Sequence, residues 1–498
     1  MNKKNIRDKI FILVSLAVYM VITFIITMYH ENWRDEAQSW MIAKNLSFVD
    51  IFKQLKYEGH PFIFYYIIHI FAELGFEYRI VNMISWIIMS IVAYIILAKS
   101  PFNKINKVLI LLTLPFIYQY VAFGRSYCLV TLFVILIAYL YNKKEKHPYI
   151  YAILISLLMN THIIMLGFVA MLILTFYVYE LIFNRKNLSS EQKKKYIISL
   201  VIIFVSALLI LFQFYSTLSL NTYTKTFAPR EEFTERLEYI IEIVMYLYTY
   251  VLTNNIYIAI VATIMIIMTI ALTIKFKPGK EILVLLGTIG FQLVFFFKLG
   301  ESKKYILMTA FLAYIFYLWV ILKKNQELND KTNKQYKSAI EITFGVICIL
   351  SALFGSVKDV WMDLKYEYSS SKSVASYIEN NIEEGAVFLC IDDTLCGSIM
   401  PYLNDNYYFY SLISDSYYKF VNWNENRNIG IQTPEYISKI QNFLENNRDL
   451  EEIYIIFNYC PSDAVYQHLL KEEKIMFEYM AVKSYTYVEN YYIYKIIK

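Results

Sequence analysis

Long apolar runs separated by short polar segments dominate the chain. Runs long enough to cross a bilayer, or nearly so, occur at 11–29, 80–98, 108–123, 127–141, 149–160, 163–183, 196–214, 256–274, 281–297, 304–322 and 339–356. Because a transmembrane helix needs about 20 predominantly apolar residues, the pattern predicts an α-helical polytopic membrane protein with about eleven transmembrane helices. Two further apolar stretches, 61–76 and 237–252, are ambiguous by length.

Basic residues decide where the two ambiguous stretches lie. If both fold back on the outer surface, every second loop from the N-terminus is rich in lysine. Those loops then hold 23 Lys and Arg, against 12 in the outer segments before the C-terminal region. Cytoplasmic loops of membrane proteins carry such an excess of positive charge. The chain is therefore predicted to start in the cytoplasm and to expose residues 30–79 and its C-terminal region outside.

The first outer loop, residues 30–79, carries three short helical patterns: WRDEAQSW, SFVDIFKQLKY and HPFIFYYIIHIFAELGF. In the first, Asp35, Gln38 and Ser39 lie on or near the polar face. The second begins with Ser47 and Asp50 at the spacing of a capping box. Their amphipathic pattern and their aromatic residues predict helices that lie in the membrane interface.

The C-terminal region reads differently from the rest of the chain. Helical patterns at SKSVASYIENNI, PEYISKIQNFLENN and AVYQHLLKEE alternate with strand-like segments at AVFLCI, IMPYL, YYFYSL, IYIIFNY, MFEYMAV and YYIYKII. Such alternation is typical of an α/β domain. We therefore divide the chain into a transmembrane domain at 1–356, which includes the outer loop 30–79, and a small extracytoplasmic α/β domain at 365–498.

Composition agrees with the membrane class. Of 498 residues, 58% are hydrophobic and only 18% are charged, and the mean hydropathy is +0.42. A soluble protein of this length would need more charge to cover its surface. The net charge of +5 follows from the loop lysines and is no signal for nucleic acid. Five cysteines without a CxxC pair indicate neither a metal site nor a disulfide framework.

Polar residues that could carry chemistry gather on the predicted outer face. Taken one at a time they are weak signals, since acids favour a helix start and cations favour helix ends at the membrane surface. Together, however, a carboxylate pair and several cations at one lipid boundary suit transfer from a lipid phosphate. The residues concerned are Asp35, Glu36, His60, Arg125, Tyr127, His162, Lys303, Lys304 and Tyr305.

The order of these features resembles the GT-C superfamily of glycosyltransferases. The resemblance runs over roughly residues 1–320 and rests on RDEAQSW, EGHPF, Arg79 opening the second span, and the late segment KKYILM. Within the superfamily the chain is most similar to the protein O-mannosyltransferases and the lipid A aminoarabinose transferases. The resemblance implies a polyprenyl-phosphate sugar as donor, transfer with inversion, and reaction at the outer membrane face.

The resemblance also implies roles for particular residues. Asp35 would be the general base, and Glu36 would support it through a metal or a hydrogen bond. Lys303 and Lys304 would hold the donor phosphate, with Arg125 as a further candidate. The chain departs from the family where GRSYCLV has no acid after its arginine and where HPF replaces the commoner HPP. These departures weaken the expectation of a divalent metal, and no other cofactor is implied.

Other functions remain open at this point. A transporter or flippase would place charged or broken segments near the bilayer midplane, whereas these spans are nearly free of acids. A polymerase or ligase of surface glycans should carry its key residues in a large late outer loop. A membrane-anchored structural protein is the fourth alternative. The acceptor of a transferase, whether a glycan, a lipid or a protein, is equally open, as is the sugar.

The predicted topology places Glu77 outside the cell. A Glu77→Cys variant should react with a membrane-impermeant maleimide on intact cells, because residues 61–76 do not cross the membrane in this topology. A Lys186→Cys variant, in a predicted cytoplasmic loop, should react only after permeabilisation, and the unsubstituted protein controls for native cysteines. Labelling of Glu77→Cys only after permeabilisation would overturn the eleven-span topology.

Overall fold

The computed structural model describes most of the chain. The described ranges are residues 3–215, 233–244, 248–276, 279–299, 303–325, 331–423, 433–458, 475–481, 484–486 and 489–497. The chain forms two compact units. The first, here called the membrane unit, comprises residues 1–27, 59–64 and 82–361. The second, the α/β unit, comprises residues 28–58, 65–81 and 362–498, so that most of the first loop belongs with the C-terminal region.

Eight helices within the described ranges are long and apolar enough to cross a membrane, which indicates a membrane-embedded protein. Each of them matches one of the eleven predicted spans. Their bounds are Asn5–Tyr29, Ile80–Lys99, Ile163–Ile182, Ser190–Phe214, Ile256–Ile274, Glu281–Lys298, Lys304–Lys324 and Asn333–Lys365.

The other three predicted spans are shorter helices. Residues 127–141 and 149–160 correspond to the apolar helices Tyr127–Lys143 and Pro148–Met159. The run 108–123 is divided into an α-helix, Lys104–Leu112, and one turn of π-helix, Pro115–Gln119. Because Pro115 has no N–H to donate to the preceding turn, the α-helix ends before it. An apolar run of spanning length is therefore interrupted here.

Helix Lys304–Lys324 is the most enclosed span of the membrane unit. Of the residues in its most apolar 18-residue stretch, 89% are buried. Its polar side chains bond to neighbouring helices. Tyr317 Oη lies 2.5 Å from Thr273 Oγ1, and Gln292 Nε2 donates to Thr309 Oγ1 at 2.7 Å. Such bonds satisfy polar groups where water is absent, so this helix can be buried along its whole length.

The two ambiguous stretches form short helices. Ile63–Glu73 has 11 residues and is therefore about 16 Å long, about half the hydrocarbon thickness of a bilayer. The second stretch contains Phe233–Glu242 and Tyr248–Thr253. None of these three helices is long enough to span a bilayer by itself. Residues 245–247 of the second stretch lie outside the described residues, and the location of both stretches on the outer face stays a prediction.

The first loop contributes helices Arg34–Asn45 and Phe48–Glu58 to the α/β unit. At the second, half of the predicted capping box forms: Ser47 Oγ accepts from the N–H of Asp50 at 3.3 Å, but the Asp50 carboxylate accepts from the Ser47 hydroxyl, at 2.7 Å, and not from its backbone N–H. Ser39 departs from its predicted place on the polar face: it is buried, and its hydroxyl bonds to the carbonyl of Asp35 at 2.9 Å. The buried face of the first helix is thus wider than the sequence indicated.

The C-terminal part of the α/β unit contains one mixed six-stranded sheet. Its strands are β1 (Val387–Cys390), β2 (Tyr408–Ser411), β3 (Ser416–Tyr417), β4 (Ile453–Phe457), β5 (Ile475–Ala481) and β6 (Tyr491–Ile496). The order across the sheet is β3-β2-β1-β4-β6-β5. Strand β1 runs parallel to both of its neighbours, β2 and β4, and the remaining pairs are antiparallel.

Helices cover this sheet as the alternating pattern predicted. Ile440 and Phe443 of helix Thr433–Asn446 pack on the inward side chains of β1 and β4, and Tyr377 of helix Ser371–Asn381 stacks on Tyr479 with ring centroids 4.0 Å apart. The segment IMPYL, predicted as a strand, is instead a short 3-10 helix at Met400–Tyr402 that begins around a proline. The predicted helix at 464–473 lies outside the described residues.

Candidate functional site

The adjacent acids Asp35 and Glu36 begin helix Arg34–Asn45 and have different surroundings. Glu36 is fully buried, and its carboxylate accepts from the N–H of Trp33 at 3.1 Å and lies 3.7 Å from His30 Nε2. The Asp35 side chain is 25% exposed and lies 3.8 Å from the Arg34 guanidinium. Neighbouring helical residues point about 100° apart. Asp35 is therefore partly exposed, whereas Glu36 caps the helix.

His30 lies buried between two carboxylates of the α/β unit. Its Nδ1 is 2.9 Å from Asp363 Oδ2, and its carbonyl accepts from the Arg79 guanidinium at 2.6 Å. Burial alone would lower the pKa of His30, but Asp363 and Glu36 outweigh burial and raise this pKa to about 9. His30 is thus an imidazolium at neutral pH, which compensates the two buried acids.

A third buried acid, Glu489, holds the first turn of the same helix. It accepts from the N–H of Arg34 at 2.8 Å and from the hydroxyl of Ser369. Burial raises the pKa of Glu489 to about 7, with Asp35 adding to the rise, while the bonds from Ser369 and Arg34 oppose it. Glu36 and Glu489 therefore fix the start of the helix that carries Asp35.

No local pattern points to the supporting residues His30, Asp363 and Glu489. The chain separates His30 from Asp363 by 333 positions and Arg34 from Glu489 by 455. His30 could have been noticed only because it directly precedes the acidic motif. The buried Glu489 lies in a tyrosine-rich segment, YVENYY, that gives no hint of an interior position.

Five of the predicted substrate-binding residues contact one another in the membrane unit. They form a set that we call the Arg125 cluster: His60, Arg125, Tyr127, His162 and Tyr305. Arg125 Nη2 lies 3.5 Å from His60 Nε2, and the rings of His60 and His162 are 5.1 Å apart. Tyr305 lies 5.4 Å from the ring of Tyr127 and 5.7 Å from the guanidinium carbon of Arg125.

Hydrogen bonds at both ring nitrogens define the tautomer of His162 in this cluster. His162 Nδ1 accepts from the N–H of Ile164 at 3.2 Å, and its Nε2 lies 3.0 Å from Tyr127 Oη. Burial, reinforced by the charges of His60 and Arg125, lowers the pKa of His162 well below its usual value. His162 is therefore neutral and carries its proton on Nε2, and this N–H donates a hydrogen bond to Tyr127 Oη.

Main-chain contacts fix the segments that carry the cluster. Gln213 Nε2 donates to the carbonyl of His60 at 2.8 Å. Tyr120 Oη donates to the carbonyl of Tyr305 at 2.8 Å, and its ring stacks on Tyr127 with centroids 5.2 Å apart. The cluster thus joins four chain segments that are far apart in sequence. The guanidinium of Arg125, the imidazole of His60 and the two phenols can donate hydrogen bonds to an anion, whereas the N–H of His162 is already donated to Tyr127.

The two predicted phosphate-binding lysines are placed differently from Arg125. Lys304 Nζ lies 2.9 Å from Asp359 Oδ2 and also contacts Asn254. Asn254 in turn donates to Asp359 at 2.8 Å. Lys303 is half-buried and immediately precedes helix Lys304–Lys324. The charge of Lys304 is therefore compensated by an acid within the membrane unit, and Tyr305, next to it, is the residue that reaches the cluster.

In the part of the chain that the structure describes, no group of three or more His, Cys, Asp or Glu side chains is placed to hold a metal ion. Glu36, for which the resemblance implies support of Asp35 through a metal or a hydrogen bond, lies with its carboxylate 3.7 Å from His30 Nε2.

No protein-family model and no curated protein matches the chain. Function must therefore be inferred from the side chains themselves.

The buried position of Glu489 predicts a pH-dependent stability. Because folding raises its pKa from 4.5 to about 7, the fold favours the protonated form, and this contribution is lost as pH rises through that interval. At about 1.4 kcal/mol per pH unit, the ionised form costs roughly 3 kcal/mol. A Glu489→Gln variant, which cannot ionise, should therefore gain thermal stability relative to the unsubstituted protein between pH 5 and pH 8.

The measurement is the difference in thermal unfolding midpoint between the two proteins across that pH range. Glu379→Gln, which removes an exposed carboxyl from helix Ser371–Asn381, is the control for the change in net charge. A difference that stays constant with pH for Glu489→Gln would contradict the prediction.

Proposed function

We propose that this protein is an integral-membrane glycosyltransferase of the GT-C type. It moves a sugar, with inversion, from a polyprenyl-phosphate donor to an acceptor hydroxyl at the outer membrane face. The observation that carries the proposal is the Arg125 cluster. Its five residues were predicted from sequence alone to bind substrate. They come from four separate segments, and they contact one another within the membrane unit.

The Arg125 cluster suits a lipid phosphate. A guanidinium offers planar, paired donors that match phosphate oxygens, and it keeps its charge at any physiological pH. His60 and Tyr305 add donors beside it, and both are only partly buried. As the glycosidic bond breaks, negative charge grows on the departing phosphate, so fixed cationic and hydrogen-bonding groups stabilise the transition state more than the ground state.

Asp35 suits the acceptor half of the reaction. In the proposed step its carboxylate takes the proton of the acceptor hydroxyl while the hydroxyl oxygen attacks the anomeric carbon. The bond from that carbon to the phosphate oxygen breaks, and its electron pair leaves with the phosphate. Since polyprenyl phosphate, a phosphate monoester, is a good leaving group, one base is sufficient and no partner acid is needed. Glu36 contributes by capping the helix that carries Asp35.

The topology forms part of the same proposal. With the N-terminus in the cytoplasm, the first loop and the C-terminal region are extracytoplasmic, where lipid-linked sugars are available and nucleotide sugars are not. A transporter would need charged or broken segments at mid-membrane. One apolar run is interrupted at Pro115, but the charges discussed above lie at the ends of the candidate spans, as with Lys304 at the start of Lys304–Lys324.

The proposal predicts that Asp35→Asn abolishes transfer. The amide keeps the size of the side chain but cannot accept the hydroxyl proton. Purified protein should consume at least one member of a panel of polyprenyl-phosphate sugars, and Asp35→Asn should lower kcat by about a hundredfold or more. The matched control is Asp50→Asn, which removes an exposed acid of the neighbouring helix that pairs with Lys53. Equal turnover by Asp35→Asn and the control would reject Asp35 as the base.

A separate prediction concerns donor binding. Arg125→Gln removes a charge-assisted contact worth about 1.5–3 kcal/mol, and it should raise KM for the donor about tenfold or more. Arg185→Gln, in a loop predicted to be cytoplasmic, is the control. Unchanged KM for the donor in Arg125→Gln would remove the cluster from the phosphate site.

A further inference from the structure

An open polar cleft lies in the α/β unit. It has a volume of about 620 Å³. We call it the 414–422 cleft, because most of its lining comes from that segment. The lining side chains used below are Asn45, Asp393, Ser414, Ser416, Tyr417 and Asn422.

The cleft lies outside the carboxyl ends of the parallel strands β1 and β2. Asp393 follows β1, and Ser414 follows β2. Open sheets with parallel strands commonly bind ligands at this edge. The floor is well ordered by hydrogen bonds, because Ser411 Oγ donates to the carboxylate of Asp393 at 2.7 Å and Tyr418 Oη donates to its carbonyl at 3.0 Å.

The chemistry of the lining favours a neutral sugar chain. Tyr417 is 51% exposed and presents an aromatic ring that can stack on the apolar face of a sugar ring. Around it, the amides of Asn45 and Asn422 and the hydroxyls of Ser414 and Ser416 both donate and accept hydrogen bonds, as sugar hydroxyls require. An aromatic surface with a few convergent polar groups is the usual make-up of a small-ligand site.

Two hydrogen bonds join the segment that lines the cleft to the helix that carries Asp35. The Gln38 side chain makes two hydrogen bonds to the backbone of Val421, donating to its carbonyl at 2.7 Å and accepting from its N–H at 2.9 Å. Asn45, on the same helix face seven residues later, lines the cleft itself. Asp35 precedes Gln38 by less than one turn. From Asp35 to Asn45 the helix rises about 15 Å, a span suited to a short oligosaccharide.

We infer that the 414–422 cleft binds an oligosaccharide, and that this oligosaccharide is the acceptor whose terminal hydroxyl Asp35 deprotonates. The second part of the inference rests on the proposed function. It selects a glycan from the acceptors that the sequence left open, and it gives the α/β unit a role in acceptor recognition.

The test measures binding directly, without turnover. Full-length protein purified in detergent is titrated against fluorescently labelled neutral oligosaccharides, from di- to hexasaccharides, and polarisation is recorded. Two variants alter the cleft: Tyr417→Ala removes the stacking ring, and Ser416→Trp fills the opening. Tyr366→Ala is the matched control, since it removes another exposed tyrosine of the α/β unit that does not line the cleft.

We expect at least one oligosaccharide to bind, and we expect both cleft variants to raise its Kd about tenfold or more while Tyr366→Ala leaves it unchanged. Thermal midpoints near that of the unsubstituted protein show that the variants are folded. The inference is overturned if no oligosaccharide binds, if both cleft variants bind as the control does, or if labelled peptides bind at the cleft in place of sugars.

The same proteins separate this inference from the proposed function. Asp35→Asn should bind the oligosaccharide normally while losing transfer. If oligosaccharides bind at the cleft but no polyprenyl-phosphate sugar is consumed, the transferase proposal fails and the acceptor role fails with it, while the sugar site stands. If donors are consumed and the cleft variants transfer sugar to oligosaccharides at the normal rate, the inference alone fails.

Discussion

A charged side chain is costly at the centre of a bilayer, and this cost decides where the polar residues of the chain can lie. The long apolar helices carry their charges at their ends, and there each charge needs a partner. Lys304 shows one solution, since Asp359 and Asn254 surround its ammonium. Arg125 shows another, in which imidazole and phenol rings pack around a guanidinium. Both arrangements keep a cation stable beside apolar helices.

The α/β unit also contains buried ionisable side chains, and their hydrogen bonds fix the start of one helix. His30, Asp363, Glu36 and Glu489 are all buried, and their bonds hold the residues on either side of Asp35. Removing one member of such a buried pair leaves an uncompensated charge. The free energy of unfolding then falls by more than an exposed ion pair contributes to it. Asp35 itself stays partly exposed. These four buried residues therefore make the helix rigid next to a partly exposed carboxylate.

Periodicity alone predicted most helices and strands correctly, because burial follows the 3.6- and 2-residue repeats. It failed where one residue overrides a repeat, as Pro115 does within an apolar run. The members of the Arg125 cluster could be grouped from sequence because the predicted topology assigns all of them to span ends on one side. The role of Glu36 could not be read in this way, since an acid at the start of a helix looks the same whether it caps or reacts. His30 and Asp363 form a pair that no local pattern encodes.

The division of the chain into units also has a consequence for the order of synthesis. Residues 28–58 and 65–81 are made early, yet the unit to which they belong is completed only by residues 362–498. Arg34 meets Glu489 across 455 positions, so the first loop cannot reach its final state until Glu489 has been synthesised. Contacts between such distant positions form slowly, because long loops must close first. A ribosome stalled before Glu489 would leave apolar helices beside an unfinished loop, which is a natural substrate for membrane quality control.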